Sequence, residues 1–135
     1  MMTFELTARR TDSRGSIVTS KDASLIIDTG MSGRPDALNP VELLLAALSA
    51  CIIKGIERVG ATLDISYDSV HVALTAHRPV NEARIADISY VVTIGTDADS
   101  TRLDLLHKNL MKFGTIYNTI KSGTTLTGTV VAASR

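Results

Sequence analysis

The sequence predicts an α+β domain that takes in residues 1–135 as a single unit. Three observations carry that prediction. Apolar residues alternate with polar ones over several short stretches, one long stretch between clear start and stop signals is helical, and the elements come in blocks, not as β-α-β repeats. A chain of 135 residues also fits one domain, given the usual roughly 100–200 residues per domain.

From Thr3 to Arg10 the apolar Phe4, Leu6 and Ala8 alternate with Thr3, Glu5, Thr7 and Arg9. Period two marks a half-buried strand. Thr11-Asp12-Ser13-Arg14-Gly15 supplies turn formers for a hairpin. Ser16–Ser20 and Ala23–Asp28 continue as two short strands around Lys21-Asp22, and Gly30, Gly33 and Pro35 make Gly30–Leu38 a loop.

Asn39–Gly60 is the strongest helix signal. Asn39 is a good N-cap, and Pro40 suits the first helical position, where its missing N–H costs nothing. Glu42, three residues after the cap, can reach back to the backbone as in a capping box. Gly60 is the expected C′ residue. Between them the helix is apolar on every face as far as Lys54. A helix with no polar face has to be buried all round, and a short chain buries a smaller fraction of its surface. The expected cover is a second subunit, most simply an identical one.

Leu63–Arg78 then alternates over Val70, Val72, Leu74 and Ala76. Pro79-Val80-Asn81-Glu82 makes a turn, and Arg84–Thr96 returns with Ile88, Tyr90, Val92 and Ile94 on one face. Asp97–Ser100 offers N-caps for a second helix through Leu103, Leu106, His107, Leu110 and Phe113. Gly114 interrupts it, Thr115–Lys121 is a short helical segment ended by Gly123, and Thr124–Ala132 is a closing strand. The predicted order is βββ-α-ββ-α-α-β.

Composition narrows the function. Fourteen Lys+Arg against fourteen Asp+Glu give a formal net charge of +0, without the basic excess that phosphate neutralisation needs. Five aromatics and no Trp leave little for base stacking. Nucleic acid is therefore not the expected partner. The apolar run Leu43–Ile53 is shorter than the ~18 residues of a membrane span, and no basic start with an apolar stretch opens the chain. A cytoplasmic protein with no membrane association is expected.

One cysteine, Cys51, excludes an internal disulfide and a cysteine-based zinc site. No phosphate loop, Gly-x-Ser-x-Gly or His-Glu-x-x-His pattern occurs, so neither cofactor nor metal is expected. His71 and His77 lie about 20 Å apart along a strand at ~3.3 Å per residue and read as surface histidines. His107, on the apolar side of its helix, reads as packed or capped. Cys51 has two readings: a small hydrophobe in a buried helix, or a reactive thiol with a depressed pKa and some access. It lies about three turns into the helix, beyond the reach of the dipole, so reactivity needs a cation. At 100° per residue Lys54 and Arg58 fall near its face; Arg9, Arg10, Arg14 and Arg34 are the donors that folding could bring in.

The stretch Asn39-Pro40-Val41-Glu42-Leu43-Leu44-Leu45-Ala46-Ala47-Leu48-Ser49-Ala50-Cys51 resembles the central helix of the osmotically inducible protein C / organic hydroperoxide resistance (OsmC/Ohr) family. There an Asn/Ser-Pro-x-Glu-Leu opening leads through small and apolar residues to a cysteine at this spacing. The order of elements matches over nearly the whole chain. The resemblance implies an OsmC-like fold, with antiparallel sheets and two long helices in an intertwined homodimer whose active sites lie at the subunit interface. It also implies thiol-dependent reduction of organic hydroperoxides, an antioxidant stress response, with an external thiol or dithiol as reductant. Cys51 matches the attacking cysteine. The thiolate-stabilising arginine falls in the turn from Arg10 to Arg14, which makes Arg10 and Arg14 the candidates.

Two departures stand out. The family's second cysteine falls at Gly114 in Lys112-Phe113-Gly114-Thr115-Ile116-Tyr117-Asn118. The glutamate that precedes the attacking cysteine by ten residues in the peroxidases is replaced by Val41, and Glu42 points about 100° away. A two-cysteine cycle is impossible within this chain. Two functions follow: a one-cysteine peroxidase resolved by an external thiol, or a non-catalytic OsmC-like protein that binds a small apolar ligand or partner at the dimer interface.

Overall fold

The computed structural model describes Met1–Arg135 throughout. Its elements are β1 (Thr7–Asp12), β2 (Gly15–Ser20), β3 (Ala23–Asp28), α1 (Pro40–Thr62), β4 (Ser69–His77), β5 (Asp87–Gly95), α2 (Ser100–Phe113), α3 (Thr115–Lys121) and β6 (Thr125–Ala133). This is the predicted order. The chain forms two compact units, Met1–Leu44 and Leu45–Arg135. No helix is long and apolar enough to cross a membrane.

The first unit is an antiparallel meander, β1-β2-β3. The β1–β2 register shifts between Arg10 and Asp12, and the Arg14 N–H donates to Asp12 Oδ1 at 2.8 Å to close the turn. After β3, the buried Asp28 organises the loop: its two carboxylate oxygens accept from the Gly30 and Arg34 N–H groups, both at 3.0 Å. The loop reverses at Gly33, whose φ of +72° a side chain would disfavour. The first strand starts at Thr7, not Thr3, and every residue of β1 is exposed. Phe4 and Leu6 are exposed as well. Their alternation writes an apolar face that nothing in this chain covers.

The α1 start follows the predicted capping box. Asn39 Oδ1 accepts from the Glu42 N–H, and Glu42 Oε1 accepts from the Asn39 N–H, both at 2.9 Å. These pairs satisfy donors that the first helical turn leaves open. The end differs from expectation: α1 runs to Thr62, and Gly60 is buried inside it. A Cβ on Gly60 would lie 3.0 Å from the Tyr67 ring, so this glycine serves close packing. The left-handed residue beyond the helix is Asp64, with φ 54°. One stripe of α1 is buried, through Leu48, Ile52, Gly55, Ile56, Val59 and Gly60, whereas Leu44 and Ile53 remain exposed. Within one chain the helix is covered on one side only.

In the second unit β5 lies between β4 and β6. β4 pairs antiparallel with β5, but β6 pairs parallel to it. The sheet is therefore mixed, where the expected sheets were antiparallel. The α2–α3 connection carries the chain back to the starting end of β5, and that crossover makes a parallel partner. One face of β5, Ile88, Tyr90, Val92 and Ile94, packs with Leu48, Ile52, Ile56 and Val59 of α1 and Leu103, Leu106 and Leu110 of α2. Each such large side chain contributes about 1.5–3 kcal/mol on burial. Asp99 caps α2, its side chain accepting from the Arg102 N–H at 2.9 Å.

Candidate functional site

Cys51 is a half-buried free thiol on α1, one residue before the buried Ile52. Its nearest feature of note is Gly114, the break between α2 and α3. Gly114 is extended (φ −76°, ψ 110°), and its N–H donates to the Leu110 carbonyl at 3.0 Å. A Cβ built there would lie 2.7 Å from Leu110 O, 3.1 Å from Tyr117 Cβ and 3.4 Å from Cys51 Sγ. Contacts under 3 Å with backbone force a shift, so glycine is what lets α2 close against α3 at the thiol. The position that the family resemblance assigns to a second cysteine adjoins Cys51 and offers no sulfur.

Cationic residues are distributed between the two units. Lys54 and Arg58 are exposed along the second half of α1, the ordinary setting for its polar side. Arg10 and Arg14 belong to the first unit and Cys51 to the second. Arg10 is exposed in β1 opposite Ser16, and Arg14 is exposed at the β1–β2 turn. Arg34 is the most enclosed of the arginines read as donors, with 20% of its side chain exposed. Its Nε and Nη2 grip both oxygens of Asp36 at 2.6 and 2.9 Å. That hydrogen-bonded fork holds the Asp36 carboxyl down at about 2. Arg34 is committed to Asp36.

The histidines separate as expected at the surface and gain a partner inside. His77 Nδ1 pairs with Asp87 Oδ1 at 2.7 Å on an exposed sheet face, and His71 is exposed on the same strand. His107 is half-buried, with Nε2 2.7 Å from the Tyr90 hydroxyl. Tyr90 is only 4% exposed and meets Tyr117 edge-on, with ring centroids 6.5 Å apart. Its ring fills the space over Gly128, the residue opposite in β6. Burial pushes the Tyr90 phenol well above its ordinary pKa, with Tyr117 adding to the rise. Burial lowers His107 below 6.5, against an upward pull from Asp104. Sequence reading placed His107 on the apolar side but missed its partner. The signal was Gly128, a glycine inside a Thr- and Val-rich strand, which marks a close approach.

Among solved structures, the chain is similar to an OsmC-like protein from Mycoplasma pneumoniae, at 17% identity and TM-score 0.88 over 98% of each chain. It is also similar to the organic hydroperoxide resistance protein OhrB of Bacillus subtilis, at 21% identity and TM-score 0.68, over 96% of this chain and 98% of that one. An organic hydroperoxide resistance protein from Legionella pneumophila matches at 18% identity and TM-score 0.72, over 97% and 98%. These likenesses are of fold. No curated protein matches the chain. The family model described as OsmC-like protein matches residues 33–128, a span that holds α1, Cys51 and the α2–α3 junction, and the chain therefore belongs to the OsmC-like protein family.

Proposed function

We propose that the protein is a one-cysteine, thiol-dependent peroxidase that reduces small organic hydroperoxides, with Cys51 as nucleophile. The observation that carries this reading is a half-buried free thiol at the family's attacking position, packed against Gly114 at the α2–α3 junction. The Cys51 thiolate attacks the outer oxygen of the peroxide; an S–O bond forms and the O–O bond breaks. Cys51 is oxidised to a sulfenic acid, and the alkoxide takes a proton and leaves as an alcohol. An external thiol attacks the sulfenic sulfur, water departs, and a mixed disulfide remains. A second thiol equivalent releases Cys51 in its reduced form. Arg10 or Arg14 stabilises the thiolate.

The working unit in this proposal is a homodimer in the cytoplasm, with residues 1–135 acting as one domain. The exposed Leu44 and Ile53, on opposite flanks of the buried stripe of α1, and the exposed Phe4 and Leu6 support a second copy as their cover. Cumene hydroperoxide consumption with a supplied dithiol tests the activity. The parent protein turns over, Cys51→Ser does not, and mass spectrometry finds a trapped sulfenic acid on Cys51. Equal consumption by Cys51→Ser overturns the proposal.

The absence of sulfur at Gly114 and the presence of Val41 in place of the glutamate favour a second reading, a non-catalytic OsmC-like protein that binds a small apolar ligand or partner at the dimer interface. A Cys51 pKa below about 7, read from the pH profile of its reaction with a neutral disulfide reagent, supports the peroxidase. An unactivated thiol supports the binding protein.

A further inference from the structure

Cys51 is the only cysteine of the chain, so a thiol that restores it comes from outside, and the surface beside Cys51 bears on which thiol that is. Cys51, Lys54 and Arg58 share one face of α1: at 100° per residue Arg58 falls about 20° from Cys51 and Lys54 about 60°. The Arg58 Cα stands two turns further along, about 10 Å at 1.5 Å per residue. Its side chain leans back toward the helix start, as helical side chains do. Nη2 comes within 3.7 Å of the point where a side chain on Gly55 would begin. Gly55 is one turn from Cys51, and the same point meets Leu110 of α2, whose carbonyl accepts from the Gly114 N–H next to the thiol. The guanidinium is thereby brought to the turn that follows Cys51.

Exposure is usual for an arginine; the lack of a partner sets this one apart. The ion pairs of the protein engage Arg34, His77, Arg84 and Arg135, and neither Arg58 nor Lys54 has a carboxylate within ion-pair distance. Glu57, the one acid of α1 after Glu42, is beside the Tyr67 phenol instead. Resting on the peroxidase reading above, we infer that the external thiol is a small carboxylate-bearing thiol and that Arg58 receives its carboxylate, with Lys54 adding to the field. The thiol attacks the sulfenic sulfur of oxidised Cys51; an S–S bond forms, the S–O bond breaks, and hydroxide takes the thiol proton and leaves as water. In the mixed disulfide, a carboxylate two or three bonds from its sulfur lies roughly one helical turn, ~5.4 Å, from Cys51 Sγ. That is the turn Arg58 reaches, and a guanidinium there can grip both carboxylate oxygens. A second thiol molecule attacks the sulfur of the first, which releases the Cys51 thiolate and a symmetric disulfide. A neutral thiol gains nothing from Arg58, and a cationic one is repelled.

Thiol–disulfide exchange without peroxide tests this in the whole protein. Reduced Cys51 is reacted separately with dithiodipropionate and with the neutral disulfide of mercaptoethanol, and the mixed disulfide is followed by mass spectrometry. Each rate is divided by that of N-acetylcysteine amide, a free neutral thiol, with the same reagent; the ratio of the two reagents then cancels the thiolate fraction. The parent prefers the carboxylate reagent by about threefold or more at low ionic strength, and about 0.5 M NaCl removes most of the preference. Arg58→Gln loses it, and Arg58→Lys, which keeps the charge, retains part of it. Equal normalised rates in the parent, or an undiminished preference in Arg58→Gln, overturn the inference. The exchange is read whether or not Cys51 turns over. A preference without peroxide consumption removes the peroxidase reading and leaves Arg58 as the carboxylate contact of Cys51. Turnover without the preference removes the inference alone.

Discussion

The Cys51 sulfur lies 3.4 Å from the point where a side chain on Gly114 would begin. This is ordinary van der Waals contact. The same point is only 2.7 Å from the Leu110 carbonyl. The junction between α2 and α3 is thus drawn in against the Leu110 carbonyl beside the thiol, and it is this backbone contact that favours a residue without a Cβ.

Gly114→Ala is expected to destabilise the protein by about 1–3 kcal/mol, as for other overpacked sites, visible as a lower urea midpoint. Gly114→Cys tests the same geometry from the other side. A Cβ at that point, 3.4 Å from Cys51 Sγ, puts a second sulfur within bonding reach of the first once the contact with the Leu110 carbonyl is relieved. Mild oxidation should then consume both thiols in the monomeric chain; two free thiols after oxidation would refute that proximity.

His107 makes stability depend on pH with a definite sign. Its folded pKa lies below 6.5, so between those values the unfolded chain binds more protons than the folded one. Its contribution is complete above about pH 6.5 and is lost as the pH falls toward the folded value. Urea midpoints measured from pH 8 to pH 5 should decline over that window, and His107→Gln should flatten the decline.

The reciprocal bonds between Asn39 and Glu42 should be separable from the rest of the fold. Asn39→Ala is expected to cost about 1 kcal/mol, read from chemical denaturation, with no change in Cys51 alkylation at pH 7. A loss well above 2 kcal/mol would mean that Asn39 does more than start the helix.

The start of α1 was open to sequence reading because capping is local: Asn39, Pro40 and Glu42 decide it among themselves. The bounds of β3 at Ala23 and Asp28 are local in the same way. The end of α1 was not legible, because Gly60 is chosen by a Tyr67 ring seven residues away. The parallel pairing of β6 was hidden for a similar reason, since period two is the same in either direction. Of the candidate site, Cys51 stood out as the one cysteine of the chain, and its role and the position of Gly114 were legible only through the resemblance to the OsmC/Ohr family. Tyr90, His107 and Gly128 belong to three elements, and only folding brings them together.

The uncovered side of α1 yields a test of assembly. Ile53→Asp places a charge on that side, where Ile53 is 38% exposed in the single chain. A dimer that buries this side should dissociate, since an unpaired buried charge costs several kcal/mol. Light scattering at micromolar concentration should then report a monomer for the variant and a dimer for the parent. A parent that is monomeric and stable would refute the homodimer.

The Tyr90 ring lying over Gly128 also fixes the alignment of β6. Moving β6 along β5 by two residues keeps its core-facing side inward, but it would put Leu126 or Val130 where Gly128 stands. Either side chain would collide with the ring. A parallel strand added late across a helical crossover has no hairpin turn to set its position. Here one aromatic ring and one glycine act as a key and its slot, and they admit the closing strand at a single alignment.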